Sequence, residues 1–349
     1  MDSTALSNTC PACGAKITFN PKLQKWDCEF CGSKFTLEEM QKAKNASSKE
    51  ANIKTLPKSN KKIDAFRCEN CGAEIVADEN TVATFCVYCG STAILKAKID
   101  EGVSPTLIIP FKKVKEDAVE AFKKVVMKPL TPRAFKSSEN IEKITGVYIP
   151  FWAHDIVGDG KMDFSAKDIR TWYSGDYMNT ETRIYNVTVE GHYEFDKVLS
   201  DASSRFDDDL MDSLEPFDFN DLVDYNHAYL SGFFAEKYDV EQEKGYERAR
   251  QRVVNSSIDL AKSKVGHQTS TVSNNSVTLK NENCYCIMLP VWMVNIKYKG
   301  KMHTFAMNGD TGKIVGDIPI GVKETVLWSI GLFILFFALC FAIVYFGGI

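Results

Sequence analysis

An α+β fold is what this 349-residue chain predicts: two small cysteine modules at the N-terminus, a central α+β domain with long antiparallel strands, and one apolar helix at the C-terminus. Three observations predict it. Eight of the eleven cysteines form two copies of one pattern, residues 144–198 are dominated by β-branched and aromatic side chains, and no charge occurs from Thr325 to Ile349.

Cys10-x2-Cys13 is followed by Cys28-x2-Cys31, and the set recurs 58 positions later as Cys68-x2-Cys71 and Cys86-x2-Cys89. Neighbours repeat with it: Cys13-Gly14-Ala15 with Cys71-Gly72-Ala73, and Cys31-Gly32-Ser33 with Cys89-Gly90-Ser91. Zinc takes four tetrahedral thiolates at about 2.3 Å, and a CxxC turn supplies two of them from one tight loop. The glycine after each pair lets backbone amides turn toward the sulfurs. Disulfides need an oxidising compartment, and no secretory signal opens the chain at Met1-Asp2-Ser3-Thr4. A redox CxxC needs no second CxxC at fixed spacing. The pattern therefore predicts two structural zinc ribbons, residues 1–36 and 67–100, with two zinc ions held by these eight cysteines.

Residues 37–66 carry seven lysines between Lys42 and Lys62. Apart from a short helix starting at Leu37-Glu38-Glu39-Met40, they lack an apolar period and read as a flexible tether.

The core domain spans 103–320. Thr106–Phe111 reads as a strand, and Val114, Ala118, Ala121, Phe122 and Val125 follow at helical spacing. Thr131-Pro132 reads as an N-cap with proline at the first helical position. The long strands of 144–198 are interrupted at Gly158-Asp159-Gly160 and at Gly175-Asp176. A helix over 240–265 uses Ala249, Val253, Ile258, Ala261 and Val265 as its buried stripe and ends at Gly266. Residues 148–162 align without gaps to 288–302 with six identities, including Pro150 with Pro290 and Trp152 with Trp292. The alignment predicts two related hairpins turning at Asp159-Gly160 and Lys299-Gly300.

Residues 201–224 hold nine acids and one base. Adjacent carboxylates such as Asp207-Asp208-Asp209 do not converge on one cation, so the segment reads as a solvated loop with helix caps. No phosphate-cradling Gly-x4-Gly-Lys-Ser/Thr, no Gly-x-Ser-x-Gly and no His-Glu-x-x-His is present. Asn308-Gly309-Asp310-Thr311-Gly312-Lys313 reads as a hairpin turn, the five histidines as isolated, and Cys284 and Cys286 as small apolar strand residues. No catalytic or small-molecule site is expected.

Val326 to Phe346 is a nearly unbroken apolar run. A helix of that length reaches about 32 Å, against a hydrocarbon core of about 30 Å. Trp328 and Tyr345 lie near its ends. The reading is a transmembrane helix at 325–347, with the bulk of the chain in the cytoplasm. Lys323 before the span and the reduced thiols both favour that orientation. Residues 1–100 carry 14 Lys+Arg against 12 Asp+Glu, and four-thiolate zinc centres would remove that small positive excess. Nucleic-acid affinity depends on phosphate contacts, so nucleic acid is not the expected partner.

With Cys10-Pro11-x-Cys13-Gly14, Val147-Tyr148-Ile149-Pro150-Phe151-Trp152, Leu289-Pro290-Val291-Trp292 and Phe305-Ala306-Met307-Asn308-Gly309-x-Thr311-Gly312-Lys313 in hand, the chain resembles a bacterial membrane protein family labelled as transcription-factor-IIB-type zinc-ribbon proteins. The resemblance runs over nearly the whole length and implies no catalysis. It implies association with membrane-stress systems that use phage-shock-protein-A-like and flotillin-like scaffolds. The expected function is a tail-anchored zinc-ribbon adaptor docking protein partners at the membrane, with ribbons on tethers and segment 201–224 as a second contact surface. The alternative is a membrane-tethered nucleic-acid-binding or transcription-related factor.

Overall fold

The computed structural model describes residues 9–45, 58–69, 73–76, 86, 94–103 and 105–347. The chain divides into two compact units. The first comprises Met1–Ile149, Phe206–Lys237 and Met288–Ile349; the second comprises Pro150–Arg205 and Tyr238–Ile287.

Three short antiparallel strands open the first unit: β1 (Thr18–Asn20), β2 (Lys25–Asp27) and β3 (Lys34–Phe35), with Phe19 opposite Trp26 and Trp26 opposite Phe35. Helix α1 (Leu37–Asn45) starts at a reciprocal cap. The Thr36 hydroxyl accepts from the Glu39 amide at 3.3 Å, and the Glu39 carboxylate accepts from the Thr36 amide at 2.8 Å.

Of the tether expected over 37–66, the short helix at its start is present as α1, and the rest is corrected where strand β4 (Lys58–Cys68) begins inside the same segment. β4 pairs antiparallel with β6 (Ile94–Val103), from Lys58 opposite Val103 to Cys68 opposite Ile94, and with β5 (Glu74–Val76). A ladder is made of backbone hydrogen bonds and requires no apolar period, so periodicity alone does not reveal it. Residues 46–57 of the expected tether lie outside the described residues.

The core of this unit begins with β7 (Leu107–Ile108), shorter than the strand expected at 106–111. Helix α2 (Lys115–Val126) buries Ala118, Ala121, Phe122 and Val126, and Phe122 meets Phe305 edge-on at 5.0 Å. Pro132 is itself the N-cap, of a four-residue 3-10 turn at Arg133–Lys136. Helix α3 (Ser138–Glu142) then leads into β8 (Thr145–Ser174), and β9 (Tyr177–Asp201) returns antiparallel. Helix α4 (Asp208–Ser213), β10 (Val223–Asp224) and β11 (Phe234–Glu236) bring the chain back to the first unit. There β11 runs parallel to the start of β8 and antiparallel to β5. Helix α5 (Gln242–Ser263) belongs to the second unit. β12 (Thr269–Tyr298), β13 (Lys301–Asn308), β14 (Ile314–Gly316) and helix α6 (Val322–Gly347) complete the chain. β12 and β13 turn at Lys299-Gly300, where both residues have positive φ.

The turn expected at Gly158-Asp159-Gly160 does not exist. These residues lie mid-strand in β8, opposite Tyr193, His192 and Gly191 of β9, and the hairpin turns at Gly175-Asp176. The glycines serve close approach instead. A Cβ on Gly158 would sit 2.1 Å from the Thr278 carbonyl oxygen, and one on Gly160 would sit 2.8 Å from the Tyr193 ring. Helix α5 keeps the expected stripe with one shift: Gly245, Ala249, Val253, Ser257 and Ala261 are buried, and Ile258 is half-buried. Gly266, at φ 71°, follows it.

Matched hydrogen bonds occur inside the two units. In the second, Pro150 O accepts from Ala202 N at 3.0 Å, and Ala202 O accepts from Asp239 N and Val240 N at 2.9 and 3.1 Å. In the first, Pro290 O accepts from Gly309 N at 2.8 Å, and Gly309 O accepts from Lys112 N and Lys113 N at 3.0 and 2.8 Å. Each set is completed by an indole donor at 2.9 Å, Trp152 to Val240 O and Trp292 to Lys113 O. In both units the residue after that carbonyl is the N-cap of a helix, Glu241 for α5 and Val114 for α2.

Candidate metal centre

Cys10 and Cys28 each open a tight turn. Cys10 N donates to Ala15 O at 2.7 Å and Gly14 N to Cys10 O at 2.8 Å; Cys28 N donates to Ser33 O at 2.9 Å and Gly32 N to Cys28 O at 2.8 Å. Gly14 and Gly32 adopt φ of 76° and 73°, the left-handed region that favours glycine. Strands β1–β3 bring the two turns face to face. The Sγ atoms of Cys10, Cys13, Cys28 and Cys31 all lie within 4.8 Å of one another, with Cys10–Cys31 and Cys13–Cys28 at 3.6 Å. A tetrahedron of sulfurs about 2.3 Å from a central ion has edges of about 3.8 Å, so the four fit one metal ion. They do not fit disulfides, which require about 2.05 Å. An all-sulfur donor set favours soft or borderline ions.

The Cys31 pKa is lowered to about 6, first by its hydrogen bond with the Ser33 hydroxyl and then by the Ser33 amide. Cys13 is raised to about 12: the Ala15 amide is the largest single influence and acts downward, but desolvation and the neighbouring thiols outweigh it. A cation held by these four sulfurs would take the place of thiol protons, so binding would be accompanied by proton release.

Behind the sulfurs the module is apolar. Ile17, Phe19, Trp26, Cys10 and Cys28 are buried in one cluster with Phe111, Tyr148 and Tyr229. Trp26 and Phe19 pack on the Tyr229 ring at 5.1 and 5.2 Å. The Trp26 indole donates to Ala228 O at 3.0 Å, Phe19 N to Ser231 O at 3.3 Å, and the Gln24 amide to Phe111 O at 2.9 Å. The first cysteine module is thus not carried on a tether; its apolar face is part of the core.

Of the second cysteine set, Cys68 and Cys86 are both buried, and Cys68 N donates to Ala73 O at 2.9 Å, the counterpart of the Cys10–Ala15 bond. Cys71 and Cys89 lie outside the described residues. This module too is joined to the core, because Ala235 and Glu236 of β11 pair with Val76 and Ile75 of β5.

Other sequence candidates have structural partners. Cys284 and Cys286 are raised to about 12 by burial, which suits neutral strand residues. Asn308 is fully buried: its amide donates to Leu214 O and Pro216 O, and its Oδ1 accepts from Asp310 N and Thr311 N. The Lys313 ammonium donates to Glu215 O, so the 308–313 turn clamps the acidic segment. Within that segment Asp207 caps α4 and Asp218 caps a 3-10 turn, while Lys112 pairs with Asp221 and, at 3.3 Å, with Asp310. The sequence reading missed this clamp, although the clustering of Asn308, Thr311 and Lys313 after an apolar strand was its signal.

Helix α6 is the one helix among the described residues that is long and apolar enough to cross a membrane; its candidate span Val322–Ile343 has mean hydropathy 2.7 and none of it buried.

These features define an α+β protein with antiparallel sheets, a four-cysteine cluster near the N-terminus and one apolar C-terminal helix. The chain is 34% identical over 347 residues to the uncharacterized protein YdjG of Bacillus subtilis (strain 168), covering 94% of each chain, and it belongs to that protein's family. No family model and no solved structure matches it.

Proposed function

We propose that this chain is a cytoplasm-facing adaptor, anchored by α6 and stiffened by two structural zinc ions, which docks protein partners at the membrane. One observation carries the reading: the first cysteine module and the apolar helix belong to the same compact unit. A partner held by the module is then held at a fixed place on a membrane-bound body.

The module's inner face is occupied by Tyr229 and Ala228, so its outer turns are the surface left for a partner. Phe30, between Cys28 and Cys31, is 82% exposed there, an apolar side chain on the face left open to a partner. The reading takes the ion as zinc, because four thiolates at tetrahedral spacing suit it. It places a second zinc at Cys68, Cys71, Cys86 and Cys89. It assigns no reaction. The resemblance to transcription-factor-IIB-type membrane proteins supports phage-shock-protein-A-like or flotillin-like scaffolds as the partners to test first.

The matched hydrogen bonds support one further reading, a duplicated βαββ module. β7–α2–β8–β9 and β11–α5–β12–β13 are the two copies, with α2 seated on the strands of the second and α5 on those of the first.

Cross-linking in membranes, followed by detergent extraction and mass spectrometry of what copurifies, tests the adaptor reading. The expected result is a small set of membrane-associated proteins lost on Phe30→Ser with metal content unchanged. Micromolar binding of the full chain to oligonucleotides that survives about 200 mM salt would instead favour the nucleic-acid factor, because purely electrostatic contacts weaken steeply there.

A further inference from the structure

We infer that residues 122–138, together with the start of α6, form a basic collar that binds anionic phospholipid headgroups of the leaflet facing the folded chain. The inference rests on the membrane reading of α6. Lys123, Lys124, Lys128, Arg133 and Lys136 fall in this segment and no acidic residue does.

In sequence the collar is far from the apolar helix; Arg133 and Glu324 are 191 positions apart. The fold ties them together. Gly321 N donates to Leu130 O at 2.8 Å, and Arg133 N donates to a Glu324 carboxylate oxygen at 3.4 Å. The loop therefore lies against the first turn of α6, beside Lys323. A helix that crosses a bilayer places its first turn at headgroup level, and whatever is bonded to that turn is placed there too.

The charges are available. Lys128, Arg133 and Lys323 are exposed, and Lys136 is half-buried with its ammonium donating to Lys128 O at 3.0 Å. Lys124 already pairs with Glu120 at 2.7 Å, so it contributes less. Among the described residues, no ion pair engages Lys128, Arg133, Lys136 or Lys323. Glu324 is the one carboxylate at the helix start, and it is outnumbered. Met127 and Val322 are 53% and 67% exposed beside these cations, an apolar–basic mixture suited to the boundary between headgroups and acyl chains. An anionic surface attracts each nearby Lys or Arg by a factor of about five.

The test uses the full chain in nanodiscs of phosphatidylcholine, alone or with about one third phosphatidylglycerol, and reads amide hydrogen exchange. Residues 123–137 are expected to exchange about fivefold or more slower in the anionic nanodiscs, in line with the gain per charge. The combined variant Lys128→Gln, Arg133→Gln, Lys136→Gln should lose that protection, while Lys128→Arg with Lys136→Arg should keep it. Unchanged exchange across β13 in both variants serves as the folding control. Protection reproduced by inorganic phosphate in pure phosphatidylcholine would overturn the lipid assignment. Equal exchange in both nanodiscs, after insertion into both, would overturn the collar alone. A chain that enters neither nanodisc overturns the membrane reading, and the collar with it.

Discussion

The Trp26 indole reaches across the core to donate to the Ala228 carbonyl, 202 positions away, and both are buried. The bond makes the first cysteine module a structural part of the unit that contains it. Replacing Trp26 by Phe keeps most of the ring but leaves the Ala228 carbonyl without this donor. That carbonyl still accepts from Ser231 N at 3.1 Å, so what is lost is one hydrogen bond, worth about 0.5–1.5 kcal/mol. Denaturant unfolding of the purified variant should show a loss in that range, with a matching rise in metal loss to a chelator.

Metal analysis of the purified protein should find two zinc equivalents per chain. Binding to such sites supplies about 10–16 kcal/mol at neutral pH. Because Ile17, Phe19 and Trp26 belong to the core cluster, stripping the metal should loosen the first unit and not only the ribbon. Hydrogen exchange after chelation should rise around Tyr229 and Phe111. Substoichiometric zinc, or a core indifferent to chelation, would count against this arrangement.

Gly245 sits in α5, where alanine would normally be better by about 1 kcal/mol. Here an added Cβ would lie 2.7 Å from the Trp152 ring and 2.9 Å from Ser200 Oγ. Overpacking of this kind costs about 1–3 kcal/mol, so the steric term should win. Gly245→Ala is expected to lower the unfolding midpoint; a raised midpoint would show that the helix can shift away from the strand.

His154 supplies an acid limit to stability. It is fully buried, its Nδ1 faces the Asn281 side chain at 3.2 Å, and its Nε2 has no hydrogen-bond partner among the described residues. Burial lowers its pKa in the fold below the ordinary value near 6.5. The unfolded chain therefore takes up the proton first. Stability from this group is present above about pH 6.5 and is lost as the pH falls below it. A variant such as His154→Gln should flatten that acid limb between about pH 7 and 5 in a pH series of unfolding midpoints.

Truncation after Thr325 should release the folded chain into the soluble fraction. The cut belongs there because Gly321, Glu324 and the Thr325 hydroxyl still make their bonds, Gly321 to Leu130, Glu324 to Arg133 and Thr325 to Gly321 O at 2.8 Å. Sedimentation of the truncated protein with membranes in high salt would reveal a second attachment.

Local features were legible in the residue order. Cys10, Cys13, Cys28 and Cys31 announce a four-cysteine cluster at metal-binding distance because turn geometry makes CxxC spacing a chemical statement. Ala118, Phe122, Ala249 and Val253 announce their helices by period, and 326–346 announces an apolar helix by its lack of charge. Each signal is written in neighbouring residues. The glycines of β8 were misread for the same reason: a mid-strand glycine and a turn glycine look alike until Thr278 is seen against Gly158.

The sequence by itself determined the first four-cysteine cluster, helices α2 and α5 and the apolar segment, because spacing and period act over a few residues. Only the tertiary structure decided that β4 is a strand, that Trp26 docks on Ala228, and that Arg133 lies at the foot of α6. Those are meetings of residues far apart in the chain, set by which surfaces can exclude water together and which backbone groups then find partners. One lysine, Lys323, flanks the apolar helix in the sequence; the folded chain gathers a basic collar around it.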